Sequence, residues 1–164
     1  MSIRTILLIV TCIGLNGCLK KPHLETSRSM TPTIQPGEPL TTDESAYRRA
    51  LPARWDVVLI NPPPVEGLDP KRMIVRRIVG LPGEELSIRE DGIYVGDVRQ
   101  VPPERISGVR YVGAPTGQPV RISYPYRIPS GSYFLLGDNT ANSVDSRFWG
   151  TVTKEYIVAK VQDK

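Results

Sequence analysis

The chain has 164 residues, the usual length of one domain with a short appendage. Its 21 lysines and arginines and 17 aspartates and glutamates give a net charge of +4, and the positive residues are scattered without a run of five, which disfavours a dedicated nucleic-acid-binding protein. The 14 glycines and 16 prolines disfavour a helical bundle and favour short strands joined by turns.

Residue types that bind metals are scarce in this sequence. The two cysteines, Cys12 and Cys18, both lie in an apolar N-terminal stretch, and His23 is the single histidine. The rest of the chain therefore offers neither a disulfide framework nor a zinc site built from cysteine and histidine. We expect the protein to use no metal and no cofactor.

Residues 1–21 are predicted to be a targeting or anchoring segment. Arg4 precedes an apolar run that two lysines end, and the run is shorter than the roughly 20 residues that a spanning helix needs. Three interpretations remain open: a cleaved secretory signal peptide, a short uncleaved anchor, and a lipoprotein signal in which Gly17 precedes a modified Cys18. Each exports the chain, and the two anchoring routes attach residues 22–164 to the extracytoplasmic face of a membrane.

Residues 22–164 are predicted to form a mostly β domain, a small antiparallel sheet or barrel-like arrangement behind an N-terminal apolar helix. Residues 22–54 carry little pattern and are interpreted as a polar linker. The predicted strands are Trp55–Asn61, Met73–Val79, Leu86–Arg89, Ile93–Val95, Ser132–Leu136 and Tyr156–Val161. Asp91-Gly92 predicts a hairpin turn, because glycine tolerates the positive φ that such turns require.

Three segments stand out by composition. Ser27–Thr33 places two serines two residues apart, on one side of an extended chain. Val75–Glu84 is a strand that ends in a Gly-Leu-Pro-Gly turn. Gly137–Gly150 is a polar loop after an apolar strand, which is typical of a side-chain hydrogen-bond network. Taken singly, each segment also fits a surface loop or a tight turn.

Taken together, the three segments resemble the type I signal peptidase family, membrane-anchored serine peptidases with a serine–lysine dyad. The first segment matches the pattern S-x-S-M-x-P-T, and the third matches G-D-N-x-x-x-S-x-D-S-R-x-W-G. The second resembles K-R-V-[IV]-G-L-P-G-[DE] from Arg77 to Glu84. The resemblance implies endoproteolysis of exported preproteins after small residues. The implied partners are signal-peptide-bearing preproteins, bound as extended strands, and the membrane, with no nucleic acid and no metal.

The resemblance also implies a role for each matching residue. Ser29 is implied to be the nucleophile, with the Ser27 hydroxyl and the Ser29 backbone N–H as the oxyanion hole. Ser143 is implied to orient the base, and Met30 to pack beside the dyad. A structural cluster of ion pairs near the site is implied for Asp138, Asp145 and Arg147.

The resemblance places Arg76 at the position of the family's base lysine. A serine hydroxyl needs a neutral acceptor for its proton, and arginine stays protonated because its pKa exceeds about 12. Lys71, at the start of the same predicted strand, reaches Ser29 only if that strand bends, and His23 is interpreted as solvated. Two functions remain open: a serine endopeptidase with another base, and a catalytically impaired relative that binds signal peptides or is an accessory membrane protein.

Overall fold

The structure is a computed structural model that describes residues 23–114 and 122–162. Its strands are β1 (Thr42–Asp43), β2 (Val57–Ile60), β3 (Ile74–Gly80), β4 (Glu85–Arg89), β5 (Gly92–Val95), β6 (Val98–Arg99), β7 (Tyr126–Arg127), β8 (Ser132–Leu136), β9 (Val152–Thr153) and β10 (Ile157–Val161). One short α-helix, α1, spans Ser146–Trp149, and single 3-10 turns lie at Glu104–Ile106, Thr140–Asn142 and Lys154–Tyr156.

The strands form two antiparallel sheets. A six-stranded sheet has the order β1-β10-β2-β3-β8-β9, and a four-stranded sheet has the order β6-β5-β4-β7. The predicted mostly β fold is confirmed. The hairpin predicted at Asp91-Gly92 is also confirmed, since it joins β4 to β5 in antiparallel register.

Each predicted strand overlaps one observed strand, with bounds that differ by no more than a few residues at either end. The two-residue strands β1, β6, β7 and β9 were not predicted, because so short a strand leaves no alternation in the sequence. The linker interpretation of residues 22–54 is wrong in part. β1 pairs with β10, and Met30, Ile34 and Leu40 are buried in the core.

The central strands β2 and β3 are buried on both faces. Val57 and Leu59 pack with Met30 and Val75 in one hydrophobic cluster. The intervening residues of β2 pack on the opposite side with Ile78 and the β8 strand. Such double burial explains why β2 is a continuous apolar run rather than an alternating one.

The alternation of side chains along β3 sends its two adjacent arginines in opposite directions. Arg77 is fully buried and donates from two of its nitrogens to Asp138, at 2.9 and 2.7 Å. Tyr111 donates its hydroxyl to the same carboxylate, and the Trp55 carbonyl accepts a further bond from Arg77. These bonds satisfy a buried ion pair, and they bind the loop after β8 to the middle of the main sheet.

Residues 1–21, the predicted targeting segment, lie outside the described residues. Within residues 23–114 and 122–162, no helix is long and apolar enough to cross a membrane.

Substitution of Arg77 by alanine is expected to lower the free energy of unfolding by about 3–5 kcal/mol, because it leaves the Asp138 carboxylate buried without its counter-charge. Urea denaturation, with tryptophan fluorescence as the signal, measures the change in the free energy of unfolding. Arg89→Ala is the matched control. Its ion pair with Asp97 is solvent-exposed, so its loss is expected to change stability far less. Equal effects of the two substitutions would contradict this view of the buried pair.

Candidate active site

The segment that carries the two serines is held by a small hairpin at the start of the described chain. Leu24 pairs with Pro39 in an isolated antiparallel bridge, and the Leu40 N–H donates to the carbonyl of His23. Met30 lies fully buried in the core between these ends, next to Ser29. The loop is therefore anchored on both sides of the serines, and their positions are defined by the core.

Ser29 is buried, with only 2% of its surface exposed, and its hydroxyl lies between two polar groups. Arg76 Nη1 donates to Ser29 Oγ at 2.8 Å. Ser27 Oγ lies 2.8 Å from Ser29 Oγ, and the Ser29 backbone N–H donates to Ser27 Oγ at 3.3 Å. Ser29 and Arg76 are 47 residues apart in sequence, and the structure brings them into direct contact.

Ser143 also lies at this site. A Cβ placed on Gly137 would sit 2.3 Å from Ser143 Oγ and 2.5 Å from the Ser29 carbonyl, so the two serines nearly meet across the glycine. The Ser143 hydroxyl is buried, and it finds no hydrogen-bond partner among the described residues. The three residues Ser29, Arg76 and Ser143 thus converge, while the roles inferred for them remain predictions.

The Arg76 guanidinium is held in place by carbonyl oxygens. Its Nε and Nη2 donate to the carbonyl of Val144 at 3.3 and 2.7 Å, and Nη1 also donates to the Val75 carbonyl. Its Cζ lies 5.7 Å from the ring centroid of Trp149, within cation–π distance. Burial lowers the pKa of Arg76, while the nearby carboxylates of Asp145 and Glu25 oppose that shift.

A guanidinium has donors and no acceptor, so Arg76 can stabilise negative charge on Ser29 Oγ and cannot remove its proton. The alternative amine, Lys71, is exposed and lies in a turn. The expectation that Lys71 begins the strand is wrong, because β3 starts at Ile74. Lys160 is bound to Asp56 at 2.6 Å.

The charged residues of the Gly137–Gly150 loop form two ion pairs rather than one cluster. Asp138 pairs with Arg77, and Asp145 pairs with Arg147 through Nε at 2.8 Å. Arg147 also donates to the carbonyls of Thr140 and Ser143, and Asp145 accepts from the Gly137 N–H. These bonds shape the loop that presents Ser143. The ion pair between Arg77 and Asp138 was not predicted, because the two residues are 61 positions apart in the sequence.

Glu25 is a residue that the sequence analysis missed. Its side chain is buried, and Oε1 accepts from both the backbone N–H and the hydroxyl of Ser27, each at 2.7 Å. The signal that could have identified it is its spacing: a carboxylate two residues before a serine is well placed for such local hydrogen bonds.

An open groove with a volume of about 560 Å³ runs past these residues. Glu25, Ser27 and Arg76 contribute polar groups to its wall. Its apolar lining comes from Leu24, Leu59, Leu68, Met73, Ile74, Val75 and Val144. The groove can therefore hold an extended apolar segment beside the serines. The described residues contain no cluster of histidine, cysteine, aspartate and glutamate that could hold a metal ion.

Gly137→Ala is expected to lower the free energy of unfolding by about 1–3 kcal/mol, because the added methyl group would overlap Ser143 Oγ and the Ser29 carbonyl. Thermal unfolding measures the loss. Gly108→Ala is the control, since a Cβ there would meet no atom within 4 Å. An unchanged melting temperature for Gly137→Ala would show that the two serines are not packed across this glycine.

The chain is similar in sequence to known signal peptidases. The family model of signal peptidase, peptidase S26, matches residues 1–163. A probable signal peptidase I-2 of Synechocystis sp. is 30% identical over 155 residues, which cover 93% of this chain and 66% of that protein. Signal peptidase I V of Bacillus subtilis is 30% identical over 142 residues, which cover 82% of this chain and 79% of that protein.

The fold is shared with a solved structure. The crystal structure of a signal peptidase I from Enterococcus faecalis matches with a TM-score of 0.53 and 26% identity, covering 69% of this chain and 98% of that one. The chain spans 66% of the length of the Synechocystis relative and 79% of that of the Bacillus relative. The match over nearly the full chain leads to one conclusion: this chain belongs to the signal peptidase family, peptidase S26.

Proposed function

We propose that the chain is a serine endopeptidase that cleaves signal peptides from exported preproteins. The observation that carries the proposal is the position of Ser29. This buried serine contacts the positive charge of Arg76 and the hydroxyl of Ser27 through its own hydroxyl, and both partners line the groove. Membership of the signal peptidase family and relatives named signal peptidase I support the same activity.

In this proposal Ser29 is the nucleophile. Its Oγ attacks the scissile carbonyl, and the Ser29 backbone N–H donates to the oxygen that becomes negative. Such a donor is typically worth about 3 kcal/mol of the barrier. Ser27 is the other proposed oxyanion donor, although its hydroxyl is directed at Glu25 in the free protein. Ser143 and Met30 form the wall around the reacting serine.

The signal peptide binds in the groove as an extended strand. Backbone hydrogen bonds hold such a strand, and alternate side chains point into the wall. The apolar lining suits the apolar residues of a signal peptide. The side chains next to the cleaved bond are proposed to be small.

The proposed organisation follows from the same activity. Residues 1–21 attach the protein to the membrane, and residues 22–164 act on its extracytoplasmic face, where signal peptides emerge. The chemistry requires only protein side chains, so no cofactor and no metal are proposed.

A second candidate function is the binding of signal peptides without cleavage. The observation that favours it is Arg76, because a protonated guanidinium occupies the place at Ser29 Oγ where a neutral base would act. The groove and the buried serines would then serve recognition alone.

Ser29→Ala is expected to reduce cleavage of a signal-peptide-bearing preprotein to the background rate, because it removes the nucleophile. The full chain in detergent micelles is incubated with the preprotein, and the mature product is followed by gel and mass spectrometry. Ser107→Ala, a serine outside the site, is the control and should cleave normally. Preprotein binding with no Ser29-dependent product would exclude cleavage and support the second candidate.

Cys18→Ala is expected to abolish labelling by a radioactive fatty acid if the anchor is a lipoprotein signal, since lipid modification would occur on that thiol. Cys12→Ala is the matched control and should leave the label in place. Recovery of the uncleaved wild-type protein in the soluble fraction of a cell lysate would contradict both anchoring routes, the lipoprotein signal and the short uncleaved anchor.

A further inference from the structure

The geometry points to Glu25 as the acceptor of the Ser29 proton, which reaches it through the hydroxyl of Ser27. This inference rests on the proposed function, because it supplies the base that the endopeptidase lacks. Arg76 holds the position of the family's base lysine and cannot act as a base. Glu25 is a buried carboxylate at the same site, connected to the nucleophile by a chain of two short hydrogen bonds.

The direction of these hydrogen bonds follows from the number of protons available. A serine hydroxyl carries one proton, a carboxylate accepts only, and a guanidinium donates only. Ser27 donates its single proton to Glu25 Oε1 at 2.7 Å. The 2.8 Å contact between Ser27 Oγ and Ser29 Oγ must therefore use the Ser29 proton. Arg76 Nη1 donates to the remaining side of Ser29 Oγ. The Ser29 proton is thus already directed along the route to Glu25.

The charges at the two ends of this chain favour movement of the proton in that direction. The positive charge of Arg76 stabilises the alkoxide that forms on Ser29, and the negative charge of Glu25 attracts the proton at the other end. All three side chains are shielded from water, with exposed fractions of 7% for Arg76, 2% for Ser29 and 5% for Glu25. In such an environment these electrostatic effects are stronger than in water.

The backbone keeps Glu25 in position. Its N–H donates to the Glu38 carbonyl at 3.1 Å, and its own carbonyl accepts from the Gly37 N–H at 2.6 Å. The Ser27 backbone N–H also donates to Glu25 Oε1, which directs that oxygen toward the Ser27 hydroxyl. Asp145 and Asp138 also act on Arg76 electrostatically. Asp145 is occupied by Arg147 and by the Gly137 N–H, and Asp138 is occupied by Arg77. Glu25 is therefore the carboxylate with a route to the nucleophile.

In the acylation step, Ser29 loses its proton as its oxygen attacks the substrate. Ser29 Oγ bonds to the scissile carbonyl carbon, and the carbonyl π pair moves to its oxygen. The Ser29 proton passes to Ser27 Oγ as the Ser27 proton passes to Glu25. Ser27 then still carries one proton, which its hydroxyl can donate to the oxyanion. When the intermediate collapses, the oxyanion pair re-forms the carbonyl, the C–N bond breaks, and the amine leaves with that electron pair and takes a proton back from Glu25 through Ser27.

In hydrolysis, a water oxygen bonds to the acyl carbon while a water proton passes through Ser27 to Glu25. The carbonyl then re-forms, the C–Oγ bond breaks, Ser29 Oγ takes the proton back from Glu25 through Ser27, and the carboxylic acid is released.

Glu25→Gln tests this relay. Glutamine keeps the size and one oxygen acceptor of glutamate and removes its basicity. We expect kcat for preprotein cleavage to fall by about 10²–10⁴-fold, the usual contribution of a general base, with KM and the melting temperature unchanged. Glu104→Gln, on an exposed turn far along the chain, is the matched control and should retain wild-type kcat.

The relay also predicts how the two substitutions combine. If Glu25 acts through Ser27, Glu25→Gln added to Ser27→Ala slows the reaction no further than Ser27→Ala alone. If the fold-loss in rate of the double variant equals the product of the two single losses, the relay is overturned. A merely structural role of Glu25 would instead lower the melting temperature. If Glu25→Gln does not fold, the rate of the wild type in H2O–D2O mixtures decides: a curved dependence supports two moving protons, and a linear one overturns the relay.

These outcomes separate the relay from the function on which it rests. Ser29-dependent cleavage that Glu25→Gln leaves within threefold of wild type overturns the relay and leaves the proposed endopeptidase intact. Absence of any Ser29-dependent cleavage by the wild type overturns the endopeptidase itself, and the relay with it.

Discussion

Two adjacent arginines on one buried strand join the parts of this protein that are distant in sequence. Strand geometry turns neighbouring side chains to opposite faces, so Arg76 and Arg77 approach different partners. Arg77 forms its ion pair with Asp138, and Arg76 donates to Ser29 and to the carbonyl of Val144. The N-terminal loop and the loop after β8 are thereby fixed to β3. Desolvation of two cations is costly, which is why each guanidinium is surrounded by acceptors.

The chemistry of the site depends on which of these cations faces the serine. A lysine beside Ser29 could lose its proton when buried and then act as a base. A guanidinium retains its charge under the same burial, and it acts on the serine only as a donor. Its effect is to stabilise negative charge on Ser29 Oγ, and the proton must leave toward another group. Glu25 and Ser27 provide a path for it that lies entirely within one short hairpin.

The match to the signal peptidase family shows which features were read correctly from the sequence. Local patterns in Ser27–Thr33 and Gly137–Gly150 pointed to the family that the comparison confirms, while the roles of their residues stay predictions. Strands with long β-branched or apolar runs were also predicted, since burial imposes such composition. The two-residue strands and the folded role of residues 23–40 were missed. Their stabilisation comes from pairing with distant segments, which leaves no local pattern.

The sequence by itself determined that the chain is mostly β and that it resembles this peptidase family, and it led to the prediction that Arg76 stands at the position of the base lysine. These are properties of residue type and spacing. Only the tertiary structure decided that Asp138 pairs with Arg77 and that Gly137 lets Ser143 approach Ser29. It also directed the proton of Ser29 toward Glu25, because hydrogen-bond direction depends on which donors and acceptors meet in space. The pairing of Arg77 with Asp138 and the approach of Ser143 to Ser29 join residues dozens of positions apart, and no local pattern encodes them.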